Sequence, residues 1–124
     1  MRLLLDTHAL LWWLADAPLS TVARDLIADP TNVVYVSAAS GWEISVKTAL
    51  GKLVAPDDLE SSLTDCNFDS LPISFSHALA AGRLPPHHRD PFDRMLIAQA
   101  QHEGLTLITR DPRFEPYDVT TLRA

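Results

Sequence analysis

The chain carries a single cysteine, Cys66, in 124 residues, which excludes an intramolecular disulfide and fits a reducing compartment, with the thiol read as a small packed side chain. Long apolar runs are missing too. The stretch Ala9–Leu14 is bracketed by Asp6, His8 and Asp16 and falls far short of a membrane span. The N-terminus shows no basic segment followed by a cleavage site, so a cytoplasmic protein is expected. Positive charge is also scarce: 10 Lys and Arg stand against 16 Asp and Glu, a net charge of −6. A surface that grips nucleic acid along its whole extent is thereby disfavoured, because phosphate binding needs Lys and Arg.

With 47% hydrophobic and 21% charged residues, and neither repeats nor low-complexity tracts, the chain reads as one globular domain spanning residues 1–124. The few cations are unevenly spread. Arg83, Arg89, Arg94, Arg110 and Arg113 fall in one stretch that also holds His87, His88 and His102, which makes local phosphate contacts possible.

Alternating signals run along the chain. Arg2–Leu5 is a short apolar strand ending at Asp6, with Thr7 available to cap a helix through Leu14. A second helix begins at Ser20 and is stopped by Pro30. Val33–Val36 is a β-branched, continuously apolar run, the pattern of a strand buried on both faces of a parallel sheet. Ser37–Leu50 is expected to be helical up to Gly51, with Trp42, Val46 and Ala49 on one face and Glu43 and Lys47 a turn apart on the next. A helix after Pro56 through Leu59 and Leu63, a strand Leu71–Phe75 and a helical turn or two over His77–Ala81 follow. Gly82–Arg89 (GRLPPHHR) is an exposed loop, since Pro85 and Pro86 break helix and ladder alike.

Asp90 and Pro91 then suit the N-cap and first position of a helix ending at Gly104, with Asp93 at its third position. Leu105–Thr109 is a fourth strand, and Tyr117–Leu122 adds an edge strand. The pattern predicts an α/β fold of three layers, α/β/α, around a central four- to five-stranded parallel sheet.

Ligands of such sheets bind beyond the carboxyl ends of the strands, where this order places Asp6 and Asp111, with Glu43 and Asp93 on neighbouring helices. Two carboxylates about 4 Å apart repel by roughly 4 kcal/mol at an effective dielectric near 20, unless protons or a cation neutralise them. An oxygen-only set favours magnesium or manganese over zinc. Each acid also has a plainer role open to it. Asp6 can cap a helix, Glu43 can simply pair with Lys47, Asp111 can make the turn before Pro112, and Asp90 competes with Asp93 while being the better cap. Thr7 and Thr109 can orient carboxylates or satisfy backbone groups. His87 and His88 have no cysteine or acid at metal spacing and read as loop residues. Trp12 and Trp13 make the first helix apolar nearly all round, as core packing and a subunit contact would each require.

The strings LLLDTHALLWWL, SAASGWEISVKTALGKL, DPFDRMLIAQA and LITRDPRF, in that order, resemble the PIN-domain nucleases of the VapC-type toxin family across nearly the whole chain. The resemblance implies a magnesium- or manganese-dependent endoribonuclease with a cognate antitoxin, an RNA substrate and a homodimeric state. It also implies Asp6, Glu43, Asp93 and Asp111 as the metal-binding acids, with Asp90 and Thr109 as supplements. Arg94 and Arg110 are the expected phosphate contacts, and Lys47 either joins them or holds Glu43. A phosphatase is disfavoured because His8 stands where its second acid belongs. The alternative outside enzymology is a non-catalytic module of the same fold that binds RNA or protein.

Overall fold

The computed structural model describes all residues, 1–124. Five strands, β1 (Arg2–Leu5), β2 (Val33–Ser37), β3 (Asp69–Leu71), β4 (Thr106–Thr109) and β5 (Thr121–Arg123), form one sheet in the order β3-β2-β1-β4-β5. Every pairing is parallel, with Leu4 opposite Tyr35 on one side and Leu107 on the other. The connections step outwards from β1 to β3, and the chain then crosses back to place β4 on the opposite flank of β1. The strand order therefore reverses between β1 and β4, and the diverging loops open a crevice at their carboxyl ends.

Six helices cover the sheet: α1 (Thr7–Leu14), α2 (Thr21–Ala28), α3 (Ala38–Ala49), α4 (Leu59–Asp65), α5 (Phe75–Arg83) and α6 (Pro91–Glu103). The two faces carry separate cores because side chains alternate along a strand. Leu3 and Leu5 pack with Ala9, Leu10, Ile27 and Phe68, whereas Leu4 packs with Leu96, Ile97, Ala100 and Phe114. Helix α3 serves both layers, Ile44 joining the first core and Ala39 the second. The expected three-layer α/β/α fold is present.

Helix ends follow local chemistry. Asp90 Oδ1 accepts the N–H groups of Phe92 (2.8 Å) and Asp93 (3.1 Å), and Pro91 supplies the first helical position of α6. Gly104, at φ +67°, closes that helix in the left-handed conformation.

Several boundaries differ from those the sequence predicts. Asp6, not Thr7, caps α1, its Oδ1 accepting the Ala9 N–H at 2.8 Å. The third strand is Asp69–Leu71 rather than Leu71–Phe75, since Pro72 has no N–H for the ladder and Ser74 begins a helix. That helix, α5, extends to Arg83, because Ser74 and His77 form a reciprocal cap in which His77 Nδ1 takes the place usually held by Glu or Gln. The edge strand is Thr121–Arg123, and Tyr117 is spent on tertiary contacts instead. Trp42 and Val46 of α3 are exposed, at 62% and 36%, while Ala39, Ser40, Glu43 and Ile44 form the buried face. Trp12 and Trp13 are half-buried and pack against the core.

Candidate metal and active site

Asp6 leaves the central strand directly into the crevice and is only 4% exposed. Its Oδ2 accepts a 2.6 Å hydrogen bond from Thr109 Oγ1 at the end of β4. The same hydroxyl accepts the Asp111 N–H at 3.1 Å, so one threonine ties both acids to adjacent strands. Burial raises the pKa of Asp6, against the lowering pull of the Thr109 and Ala9 hydrogen bonds, and the Asp111 charge adds to the rise. Thr7 turns the other way, its Oγ1 3.1 Å from Ser40 Oγ, and binds α1 to α3.

Asp93 is pushed up to about 6 by burial first and the charge of Asp90 second, with hydrogen bonding to His88 pulling downwards and the charge of Asp6 pushing up. Its Oδ2 is held at 2.7 Å by His88 Nε2, which also lies 3.9 Å from Asp111 Oδ2. Asp111 is gripped by Arg113, with 3.0 Å from Nε to Oδ1 and 2.7 Å from Nη2 to Oδ2, and its pKa is lowered chiefly by that contact. The Arg113 side chain is 64% exposed, so the pair is screened and easily released.

Glu43 projects from the buried face of α3 at 3% exposure. Lys47 donates to its Oε2, one turn away, and raises its own pKa by that bond. The other oxygen, Oε1, is buried without a hydrogen-bond partner. Lys47 also senses the charges of Asp90 and Asp93 at the start of α6. An unpartnered buried carboxylate oxygen is expensive, and a cation would complete it. The ligand atoms of Asp93, Asp111 and His88 lie within 4.8 Å of one another, close enough to share a metal ion, and the carboxylate oxygens among them suit a hard divalent cation.

The floor of an open depression of about 250 Å³ is lined by Asp6, His8, Trp12, Arg110 and Asp111. A second depression of about 220 Å³, near Trp42, Phe92 and Met95, is mainly apolar and has no converging carboxylates. Two of the four acids, Asp6 and Asp111, line the first.

The contacts correct two predicted roles. Arg94 is not free to meet a phosphate: its Nη1 donates to Pro85 O (3.0 Å) and His88 O (3.1 Å), and its Nη2 to Ala81 O and Leu84 O (both 2.8 Å). The end of α5 and the proline loop leave carbonyls without N–H partners, and one guanidinium satisfies four of them. The loop is likewise not wholly exposed, for His88 within it is 3% exposed and touches two of the acids. A proline-rich segment rich in unpaired carbonyls five residues ahead of a charged helix start was the available signal. Arg110 keeps its place at the rim, stacked 4.1 Å over Trp12 and bonded to Ala124 O and Pro18 O.

Fold and site together define a parallel α/β domain with an acidic crevice at its topological switch point. The sequence matches the PIN domain over residues 3–119, and the chain belongs to that family. Ribonuclease VapC16 of Mycobacterium tuberculosis is 38% identical over 64 residues, 48% of this chain and 44% of that protein, so less than half of that relative's length is matched. The fold is similar to that in the crystal structure of VapBC2 from Rickettsia felis bound to a promoter DNA fragment, with a TM-score of 0.75, 17% identity and coverage of 100% of this chain and 99% of that one. FitAcB from Neisseria gonorrhoeae gives a TM-score of 0.67 at 23% identity, over 98% of this chain and 96% of that one. No helix is long and apolar enough to cross a membrane.

Proposed function

We propose that the chain, as one nuclease domain over residues 1–124, is a Mg2+- or Mn2+-dependent endoribonuclease and the toxin of a toxin–antitoxin pair, acting in the cytoplasm. The observation that carries this reading is the convergence of Asp6, Asp93 and Asp111 at the switch point, beside which Glu43 of α3 keeps a buried Oε1 without a partner. Asp6, Glu43, Asp93 and Asp111 would hold the ion, which when bound supplies Lewis-acid polarisation of the scissile phosphate and an acidified water.

The remaining side chains prepare that site. Thr109 fixes Asp6 in the rotamer that also caps α1. Lys47 pairs with Glu43 one turn away on α3, and Asp90 holds the start of α6 so that Asp93 faces His88. Arg110 stands at the rim as the phosphate contact. Three features support protein partners. Among the structures that share the fold, one is named as VapBC2 bound to a promoter DNA fragment and another as a member of the VapBC family of toxin–antitoxin systems, Trp42 and Leu50 are each 62% exposed, and Phe75 is 83% exposed. A cognate antitoxin and a homodimer are the partners proposed for these surfaces.

The test is cleavage of a mixed RNA pool by partner-free protein, with Mg2+ or Mn2+, with chelator, and beside Asp6→Asn and Asp93→Asn. Cleavage is expected only with metal and both acids, and cleavage that survives chelation or either substitution in folded protein refutes the assignment.

A further inference from the structure

His88 is tied down at every polar atom. Its backbone N–H donates to Tyr117 Oη at 2.8 Å and its carbonyl accepts from Arg94 Nη1 at 3.1 Å. The ring packs edge-on against Phe114, with centroids 5.8 Å apart. Its Nδ1 receives the Asp90 N–H at 3.4 Å. A backbone N–H cannot face another N–H, so the ring proton sits on Nε2 and is donated to Asp93 Oδ2 at 2.7 Å. A histidine in that tautomer is not itself a metal ligand, and at 1% side-chain exposure it cannot reach an RNA chain.

We infer that His88 is a positioning residue: it tethers one oxygen of Asp93 so that the other is presented, already oriented, to the cation shared with Asp6 and Asp111. This inference rests on the acidic crevice being a metal site. The physical gain is pre-organisation. A carboxylate on an unrestrained side chain loses rotamer freedom on ligation and is repelled by the acids beside it. One held by a buried N–H has been ordered during folding, and the same nitrogen lies 3.9 Å from Asp111 Oδ2. The Arg94 clamp and the Tyr117 hydroxyl, which donates to Pro85 O at 2.6 Å, hold the proline loop in the shape that brings residue 88 back over residue 93.

Partners outside the metal-binding shell typically alter metal affinity by about 10- to 100-fold. The experiment is Mn2+ titration followed by electron paramagnetic resonance on the full chain, comparing wild type, His88→Leu, His88→Gln and Asp93→Asn, with melting of each in chelator to report the fold. His88→Leu is expected to weaken Mn2+ binding at least about tenfold. His88→Gln, which retains an amide N–H of similar reach, is expected to recover most of that loss. In RNA cleavage, excess Mn2+ is expected to restore kcat to His88→Leu with KM for RNA unchanged. Wild-type affinity in His88→Leu, or a folded His88→Gln as weak as His88→Leu, overturns the positioning role while leaving the metal site intact. Wild-type protein that binds no Mn2+, or binding indifferent to Asp93→Asn, overturns the metal-site reading and this inference with it.

Discussion

Replacing Asp93 by Asn is expected to stabilise the metal-free protein while destroying its metal site. In the folded chain burial and the neighbouring acids push Asp93 from its ordinary 3.8 up to about 6. Each unit of displacement corresponds to about 1.4 kcal/mol, so holding the ionised form in the folded state costs on the order of 3 kcal/mol near neutral pH. Asn keeps the carbonyl that accepts from His88 and discards the charge. It also forfeits a carboxylate in the first turn of α6, worth about 0.3–1 kcal/mol. The net gain is about 2 kcal/mol, or roughly 6–10 °C in melting temperature for a domain of this size.

The pH dependence has a definite sign. A carboxylate with a raised folded pKa contributes stability that is fully present below its unfolded value near 3.8 and is lost as pH rises through about 6. The advantage of Asn over Asp is therefore full above about pH 6 and shrinks between about pH 6 and pH 4. Differential scanning calorimetry in chelator across that range measures it, and adding Mn2+ should raise the melting temperature of wild type and leave Asp93→Asn unmoved. No gain near neutral pH, or an equal gain at about pH 4, would show that Asp93 is not under the electrostatic pressure argued here.

Three other substitutions separate the remaining roles. Asp90→Asn should cost only a few tenths of a kcal/mol and retain most RNA cleavage, because Asn caps as well as Asp; activity as low as that of Asp93→Asn would move Asp90 into the metal shell. Arg94→Lys should lower stability by about 2 kcal/mol or more in chemical denaturation, since an ammonium cannot span the four carbonyls that the guanidinium reaches; an unchanged midpoint would mean that water replaces the clamp without penalty. Thr109→Val should raise the pKa of Asp6 further and shift Mn2+ binding to higher pH, because Asp6 Oδ2 loses its 2.6 Å donor; an unshifted binding profile would reduce Thr109 to packing.

The chain determined much of this locally. The apolar run Leu3–Leu5 fits only a strand covered on both faces, and those residues are fully buried. Asp90, Pro91 and Gly104 specify both ends of α6, because caps, a proline at the first position and a left-handed closing glycine act within a few residues. Acids following strands in a parallel sheet had to gather at one edge once the strand order reversed beside β1. Tertiary structure alone decided the rest. In sequence Trp42, Val46 and Ala49 form the apolar face of α3 with Glu43 beside it, yet Glu43 is buried and Trp42 exposed, since the position of α6 and α1 against α3 selects the face. Arg94 became a clamp and His88 a partner of Asp93 because a proline loop without internal hydrogen bonds folded back across the start of α6. The demand for donors on that loop is local, but which side chains meet it depends on where the packed helices leave it, and no spacing along the chain encodes that.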